Sequence, residues 1–422
     1  MTEANPTMTN ATLITLLAIL TSPAPAAEAN WPQFRGPQTN GHSSVTGLPL
    51  KWSPEQNIAW KTAVHGTGWS SPVIWGDQVW MTTSENKGKQ LYAVCVNRTS
   101  GKIVHNVKLF DVEKPGRINA LNSYASPTPV IEAGRVYITF GTYGTACLDT
   151  KTAQVIWTRR DINCDHDMGP GVSPILSGSM LIMPMDGCDV QFIIALDKKT
   201  GKTAWKTNRG IDYSKRSYDT KKAFCTPIII DPSGIKQLIA PCADAIIAYN
   251  PADGKELWKV PIHGFSIIPR PVFKDGMLYV VTDCSRPQLW ALKVTVKKGK
   301  PSASIAWKVK KDAPQRSSML LIDGLLYGLT HRGYALCFDA SSGKTVWRQR
   351  MGSAYSASPL YADGKIYLFN ERMGTTVIKP GRKYKELAVN KLNRSRIMAS
   401  PAICGKAIFL RTDTHLYRIE KK

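Results

Sequence analysis

The chain has 422 residues, 43% of them hydrophobic, with 55 Lys and Arg against 31 Asp and Glu and a formal net charge of +24. The hydrophobic content is ordinary for a soluble globular protein. The 32 glycines and 27 prolines are spread along the sequence, which favours many short elements joined by tight turns and argues against long helices or a disordered tail. The charge suits an anionic partner such as nucleic acid, lipid headgroups or an acidic polymer, or it only solvates strands and loops.

The N-terminal region resembles a secretory signal peptide covering residues 1–29. Residues 11–20 form an apolar run that is too short to cross a bilayer as a helix. A stretch of small residues follows and offers cleavage after Ala26 or Ala29, although no Lys or Arg precedes Arg35. We therefore expect export to the periplasm or the extracellular space, with no transmembrane span in the mature chain.

Nine cysteines are an odd number, so at least one thiol is unpaired in a monomer. Three of them occupy the same strand of their repeats, where cysteine acts as a small buried apolar residue. These are Cys95, Cys147 and Cys337. A Cys164–Cys188 or a Cys225–Cys242 bridge is open to the chain in an oxidising compartment. No C-x-x-C motif occurs, so a redox or zinc motif finds no support.

An internal repeat of about 47 residues organises the rest of the chain. The first half of each unit is Ser-Pro or a close variant, a short apolar stretch, a turn with glycine and a β-branched or aromatic run. Eight such starts occur, at Ser71-Pro72, Ser126-Pro127, Ser173-Pro174, Thr226-Pro227, Arg270-Pro271, Ser317-Ser318, Ser358-Pro359 and Ser400-Pro401.

The second half of the unit is clearest over residues 195–205, which read ALDKKTGKTAW. An alternating strand ends at Asp, the D-x-x-T-G turn supplies side-chain hydrogen bonds and a glycine able to adopt positive φ, and a second strand carries tryptophan. Each unit is therefore predicted to be four short strands forming one propeller blade, with the tryptophan docking between neighbouring blades. The predicted docking residues are Trp60, Trp157, Trp205, Trp258, Trp307 and Trp347.

The ends of the chain predict how the ring closes. The last unit, residues 400–422, has three strands and lacks its tryptophan strand, whereas residues 58–61 form a tryptophan strand without a blade. The N-terminal strand should therefore complete the eighth blade, which removes open sheet edges. The prediction is an all-β, eight-bladed propeller of four-stranded antiparallel blades over residues 30–422. An open solenoid would need polar capping repeats, and none is visible.

The A-L-D-x-x-T-G-K-x-x-W unit resembles the tryptophan-docking motif of quinoprotein alcohol dehydrogenase-like propellers. Residues 31–37, WPQFRGP, and 169–176, GPGVSPIL, resemble segments of exported bacterial PQQ-like repeat proteins. The dehydrogenases of that superfamily bind PQQ and Ca²⁺ in the central funnel, and a disulfide between two adjacent cysteines covers the quinone. The resemblance therefore implies PQQ and Ca²⁺ as possible cofactors. This sequence has no adjacent cysteine pair and is shorter than those enzymes, and it resembles better the BamB-like branch, whose blades bind partners.

A polar loop offers a candidate metal site. Asp161, Asn163, Asp165 and Asp167 place oxygen atoms at alternate positions, a spacing that suits Ca²⁺. The loop departs from the EF-hand, because His166 stands where glycine is needed and the closing Glu is missing. The alternative is a polar connection between blades whose Asp and Asn side chains cap turns.

Residues just before each Ser-Pro should lie at one mouth of the channel, where propellers usually bind ligands. Aromatic residues beside arginine suit an anionic or planar ligand, and the alternative is that they fill or solvate the tunnel. The candidate ligand-binding residues are Trp69, Tyr124, Arg270, Arg316, Tyr355 and Arg396, and Cys225 holds the same position.

Two functions follow from these observations. The first is an exported non-catalytic scaffold that binds a protein or an anionic polymer, with no sequence-specific nucleic-acid binding because no nucleic-acid module is present. The alternative is a quinoprotein-like oxidoreductase using PQQ and Ca²⁺, against which the missing cysteine pair argues. Sugar processing in the channel is a third class, for which no acid/base carboxylate pair is identifiable, and no G-x-S-x-G suggests a serine hydrolase.

Overall fold

The computed structural model describes residues 1–3, 30–372, 374–392 and 395–421. The predicted cleavage sites after Ala26 and Ala29 lie outside these ranges and stay a prediction. Within them nearly all regular structure is β, in thirty-two strands. Four short 3-10 turns are the helical elements there, namely Asn86–Gly88, Gly141–Tyr143, Tyr218–Thr220 and Pro232–Gly234. No helix of the described residues is long and apolar enough to cross a membrane.

The first sixteen strands in chain order are β1 (Ile58–Ala63), β2 (Val73–Trp75), β3 (Gln78–Glu85), β4 (Gln90–Asn97), β5 (Ile103–Asp111), β6 (Val130–Glu132), β7 (Arg135–Thr139), β8 (Thr145–Asp149), β9 (Val155–Arg159), β10 (Ile175–Ser177), β11 (Met180–Asp186), β12 (Gln191–Asp197), β13 (Thr203–Asn208), β14 (Ile228–Ile230), β15 (Gln237–Cys242) and β16 (Ala245–Tyr249). The others are β17 (Glu256–Pro261), β18 (Val272–Lys274), β19 (Met277–Val281), β20 (Leu289–Lys297), β21 (Lys300–Val309), β22 (Leu320–Ile322), β23 (Leu325–Leu329), β24 (Tyr334–Asp339), β25 (Thr345–Arg350), β26 (Leu360–Ala362), β27 (Lys365–Phe369), β28 (Gly374–Ile378), β29 (Glu386–Lys391), β30 (Ala402–Cys404), β31 (Ala407–Arg411) and β32 (His415–Glu420).

These strands form eight four-stranded antiparallel sheets, which are the blades of a propeller. Blades 1 to 7 each contain four consecutive strands, from β2–β5 in blade 1 to β26–β29 in blade 7. In blade 8 the order is β1-β32-β31-β30, and Thr62 of the N-terminal strand pairs with Leu416. The predicted eight-bladed ring, closed by the N-terminal strand, is confirmed.

The turn between the third and fourth strands is built by its own sequence. In blade 3, Asp197 Oδ1 accepts the backbone N–H groups of Lys199 and Thr200 at 3.0 and 2.8 Å. The Thr200 hydroxyl donates to the same oxygen at 2.9 Å. Gly201 has a φ of 73°, and its N–H donates to the Asp197 carbonyl at 2.8 Å. Because all these bonds lie within five residues, the D-x-x-T-G segment forms this turn from local sequence alone.

Tryptophans of the fourth strand join neighbouring blades. Trp157 Nε1 of blade 2 donates to the Lys198 carbonyl in the blade 3 turn at 3.1 Å, and its ring covers Gly201 of that turn. Trp258 instead donates to Gln237 within its own blade at 2.7 Å. The bond to the next blade recurs at Trp60, Trp205, Trp307 and Trp347.

Replacing Gly201 with alanine is expected to lower the free energy of unfolding by about 2–4 kcal/mol. A Cβ there would lie 2.7 Å from the Trp157 ring, in a backbone conformation that alanine disfavours. Gly178→Ala is the matched control, because its φ is also positive but nothing lies within 4 Å of its Cβ; its expected cost is about 1–2 kcal/mol. Urea denaturation of both variants measures the difference, and equal costs would show that the tryptophan contact does not matter.

The hydrophobic core is divided among the interfaces between blades. One cluster packs Tyr137 and Trp157 of blade 2 against Leu181 and Leu196 of blade 3. A fully buried side chain of this size contributes about 1.5–3 kcal/mol. Another cluster adds Trp31, Leu48 and Trp52 of the N-terminal segment to residues of blades 1, 7 and 8. Each blade therefore depends on its neighbours to bury its apolar faces.

Cys164, Cys188, Cys225 and Cys242 are free thiols, so neither of the two candidate disulfides is formed. The Cys225 thiol donates to the Pro269 carbonyl at 3.3 Å, whereas the Cys242 thiol donates to the Ala245 carbonyl at 3.5 Å. Each thiol therefore has its own backbone partner. The three repeat-strand cysteines lie in the third strand of blades 1, 2 and 6 and are fully buried, in agreement with an apolar packing role.

Candidate functional site

The propeller has two faces, which differ in the connections they carry. On the mouth face lie the connections between blades and the turns between second and third strands. On the opposite plug face lie the turns between first and second and between third and fourth strands. Every blade starts its innermost strand at the mouth face, so residues in equivalent repeat positions form rings around the channel.

One such ring consists of hydroxyl groups that link the blades. In seven blades a Ser or Thr two residues before the innermost strand accepts the backbone N–H of the equivalent residue in the preceding blade. The seven donor-to-acceptor pairs are Ser71 to Thr128, Thr128 to Ser173, Ser173 to Thr226, Arg270 to Ser318, Ser318 to Ser358, Ser358 to Ser400 and Ser400 to Ser71, at 2.9 to 3.2 Å.

The ring corrects two of the predicted blade starts. Blade 2 begins at Thr128-Pro129, two residues after Ser126-Pro127, and blade 6 begins at Ser318, the second residue of the predicted Ser317-Ser318 pair. The sequence repeats the signal at both places, and only the bond to the neighbouring blade selects one copy. The other six predicted starts hold the ring position.

Arg270 takes the place of a hydroxyl in blade 5. It is almost fully buried, and its Nε and Nη2 donate to the Pro227 carbonyl of blade 4 at 3.1 and 2.9 Å. Nη1 donates to the Phe34 carbonyl at 2.6 Å. Burial lowers the pKa of Arg270 to about 9. The guanidinium therefore ties blades 4 and 5 to the N-terminal segment in place of the missing hydroxyl bond.

Residues 31–43, the plug segment, close the channel at the plug face. Trp31 exchanges two backbone hydrogen bonds with Ile74 of blade 1, both at 2.8 Å. The carbonyl group of Pro32 accepts the backbone N–H of Ile131 in blade 2. At the other end of the segment, the backbone of Tyr361 in blade 7 pairs with Gly41 and Ser43. Arg35 is 3% exposed and donates to three carbonyl groups. These belong to Pro359 at 2.6 Å and to Met319 and Asn40 at 2.7 Å each.

Above the plug segment a cavity of about 400 Å³ opens to the mouth face, and Phe34 belongs to its lining. Its walls combine aromatic and sulfur-bearing side chains with hydroxyl and amide groups. Eight lining residues lie two positions before the hydroxyl ring, one from each blade. They are Trp69, Ser126, Gly171, Phe224, Ile268, Arg316, Ser356 and Met398. Other lining residues come from the connections between blades, among them Leu121, Asn122, Met168, Lys222 and Phe265.

Positive charge exceeds negative charge at one side of the cavity. Arg316 Nη1 lies 2.8 Å from Glu371 and also donates to Ser356 at 2.8 Å. Arg396 reaches the second carboxylate oxygen of Glu371 at 3.5 Å, and its guanidinium lies 5.9 Å from the Trp69 ring. Burial lowers the pKa of Arg316 despite the neighbouring carboxylate. Two arginines share one carboxylate, so this side of the cavity keeps a net positive charge, which attracts an anionic group.

The structure brings together three of the six predicted channel residues. Trp69 and Arg316 line the cavity, and Arg396 lies at its rim. Arg270 holds the blade 5 position of the hydroxyl ring and is not among the residues that line the cavity. Tyr355 is fully buried in the core between blades 6 and 7, and Cys225 is also buried.

Tyr124 lies outside the cavity and donates to the Gly116 carbonyl at 2.7 Å. It precedes Ser126-Pro127, whereas blade 2 begins at Thr128-Pro129. Sequence reasoning missed Phe34, Phe224 and Met398. The last two hold the same repeat position as Trp69 and Arg316, so the correct register would have found them.

The four residues of the predicted metal loop point to separate partners. Asp161 binds Arg159 through two bonds of 2.6 and 2.7 Å, and Asn163 accepts the Thr142 hydroxyl at 3.4 Å. Asp165 accepts Tyr218, and Asp167 lies 3.4 Å from Lys222. Among the described residues no three His, Cys, Asp or Glu side chains gather as a metal site requires. The bonds present here order the connection between blades 2 and 3.

His166 of this loop is expected to make the protein acid-sensitive. Burial lowers its pKa to about 4, and Nε2 accepts the Thr142 N–H at 3.2 Å, which only the neutral ring can do. The unfolded chain then binds the proton more readily, so about 3 kcal/mol of stability is present above pH 6.5 and lost as the pH falls to 4. Denaturation at pH 7 and pH 4.5 measures this loss. His166→Gln should make the profile shallower, because His42, whose pKa is also lowered to about 4, keeps its own share. An unchanged slope would contradict the assignment.

The family model described as outer membrane protein assembly factor BamB matches residues 43–207, 233–321 and 293–379. The chain belongs to this family. Among solved structures, BamB from Moraxella catarrhalis is similar with a TM-score of 0.60 and 10% identity, over 86% of this chain and 99% of that chain.

The computationally designed Ika8 protein matches with the same TM-score of 0.60, the same 10% identity, and the same coverage of 86% and 99%. Quinohemoprotein alcohol dehydrogenase from Comamonas testosteroni matches at 0.46 and 11% identity, over 94% and 81%. A search of curated protein sequences finds no match. At these identities the likeness of this BamB-family chain to solved structures concerns the fold.

Proposed function

We propose that the protein is an exported, non-catalytic scaffold that binds a protein or an anionic polymer at its mouth face. The observation that carries the proposal is the one-ended cavity of about 400 Å³, which Phe34 and the plug segment close from below. A closed bottom makes the channel a receptor for a group that enters and leaves from one side. Cavities of this volume with mainly apolar walls and a few polar groups are typical binding sites.

The chemistry of the cavity favours an acidic group beside an apolar one. Phe224, Phe265 and Met398 offer contact area to an aliphatic or aromatic side chain. Arg316 and Arg396 lie on one side and share Glu371, so an added carboxylate or phosphate meets positive charge. A protein segment or polymer that carries an anion next to an apolar group satisfies both parts of the wall.

Photo-crosslinking tests this function. A benzoyl-phenylalanine at Leu121, which lines the cavity and is 40% exposed, should give a discrete partner adduct in the compartment to which the protein is exported. The matched control is Ile305, 43% exposed on the outer strand β21. Arg396→Glu should reduce the Leu121 adduct by about ten-fold, equivalent to 1.4 kcal/mol. No adduct, or the same adducts from both positions, would remove the support for a mouth-face partner.

The second candidate is a quinoprotein-like oxidoreductase that uses PQQ and Ca²⁺. The cations Arg316, Arg396 and Lys222 around the cavity suit an anionic planar quinone. The oxygen ligands for Ca²⁺ fit poorly, because Glu371 is held by two arginines and Asp167 lies beside Lys222. Calorimetric titration with PQQ, with and without Ca²⁺, separates the two candidates. Stoichiometric micromolar binding of PQQ would favour the oxidoreductase, and the absence of any heat of binding would favour the scaffold.

A further inference from the structure

Lysines repeat around the plug face because they belong to the blade motif. The turn between third and fourth strands leads through Gly-Lys into the fourth strand in five blades, and each of these lysines is exposed. They are Lys102, Lys202, Lys255, Lys300 and Lys344. Since equivalent turns of a propeller lie at the same end of the ring, the motif places one positive charge per copy along the rim of this face.

The full set of these turns is strongly basic. In blades 1 to 7 the turns and the strand residue on each side contain fifteen Lys and Arg and six Asp and Glu. Some cations are neutralised locally, for example Lys198 by Glu132 at 2.7 Å and Arg382 by Asp339 at 3.1 Å. The remaining excess forms a ring of positive charge around the closed end of the channel.

The chain also enters the propeller at the plug face. Asn30 Oδ1 accepts the backbone N–H of Gly76 at 2.8 Å, and Gly76 belongs to the turn between β2 and β3. The basic rim and Asn30, where the described propeller begins, therefore lie on the same side of the molecule.

We propose that the plug face docks onto a bilayer surface that carries anionic lipid headgroups. Each Lys or Arg near such a surface raises partitioning about five-fold, and the effect falls off within a Debye length of about 8 Å at physiological salt. A rim of turns at one end of the ring brings many lysines within that distance at once. Docking in this orientation turns the cavity away from the membrane and leaves it open to a partner.

Vesicle co-sedimentation of the full chain tests the proposal. Wild-type protein should partition at least about 100-fold more to vesicles of phosphatidylcholine and phosphatidylglycerol at 7:3 than to phosphatidylcholine alone. The test variant is Lys102→Glu, Lys202→Glu and Lys344→Glu together. The matched control reverses three exposed mouth-face lysines, Lys87→Glu, Lys215→Glu and Lys311→Glu, and so has the same net charge.

The test variant should lose at least about 100-fold of the preference for anionic vesicles, and the control should stay within about three-fold of wild type. Equal losses in both variants would assign the effect to net charge and overturn the proposal. Equal binding of wild type to both vesicle types would overturn it too. Tighter binding of heparin than of vesicles through the same three lysines would also overturn the proposal, because it would assign the rim to an anionic polymer. Lys→Ala at the same three positions, with a smaller expected loss, serves if the Glu variant does not fold.

Discussion

Replacing Asp186 with leucine is expected to lower the free energy of unfolding by about 3–5 kcal/mol. Asp186 and Arg209 form a bidentate ion pair at 2.8 and 2.7 Å, and both side chains are 1% exposed. Arg209 also donates to the Ala240 carbonyl and to the Tyr249 hydroxyl in blade 4, at 3.3 and 3.2 Å. Removal of the carboxylate leaves a buried guanidinium with neutral partners only, between two blades.

The double variant Asp186→Leu with Arg209→Met is the control for this prediction. It removes both charges, so it should recover most of the lost stability, because a buried ion pair is often replaced by apolar residues at little net cost. Urea denaturation of the two single variants and the double variant completes the thermodynamic cycle. If Asp186→Leu costs no more than the double variant, the buried charge is not what destabilises the protein.

Arg35→Met is expected to lower the free energy of unfolding by about 3 kcal/mol or more. The guanidinium holds three carbonyl groups, two of which belong to blades 6 and 7. Loss of the donor leaves these buried acceptors unsatisfied, at about 1–3 kcal/mol each. Burial lowers the pKa of Arg35 to about 9, so it is charged at neutral pH and its three bonds are charge-assisted.

Arg117→Met is the matched control, because Arg117 is 70% exposed and lies 3.9 Å from its nearest carboxylate. Such a pair contributes about 0–1 kcal/mol. Denaturation measures both variants, and limited proteolysis should cleave within residues 31–43 faster in Arg35→Met alone. Equal stability of the two variants would mean that the plug segment is held by its backbone pairing with Ile74 and Tyr361 and not by Arg35.

The blade count could be predicted because the blade starts recur along the sequence and several of the turns are encoded within a few residues. Asp197, Thr200 and Gly201 bond to one another, so the motif is visible in the sequence without any knowledge of its surroundings. The closure of blade 8 was predictable for the same reason, since a tryptophan strand without a blade and a blade without that strand are both local features. Five of the six tryptophans donate to the next blade, and the sixth, Trp258, donates within its own blade.

The candidate site was only half predictable. Trp69 precedes a single start signal, and Arg316 precedes a Ser-Ser pair whose two members are adjacent. Tyr124 precedes the first of two successive signals, Ser-Pro and Thr-Pro, and blade 2 begins at the second. Thr128 is selected by a bond from Ser71, 57 residues away. No local pattern contains that information, and an error of two residues moves a side chain from the channel to another environment.

Local sequence therefore determined the architecture of this protein: eight units, four strands in each, a turn built from Asp, Thr and Gly, and a ring closed by the N-terminal strand. The tertiary structure alone decided that the channel is closed at one end. Arg35 reaches carbonyl groups 284 and 324 residues away, and Arg270 reaches Phe34 across 236 residues. Those partners are backbone carbonyls, which every residue possesses, so nothing in the sequence distinguishes them. Only the folded ring brings them within reach of a buried guanidinium and turns a tunnel into a cavity.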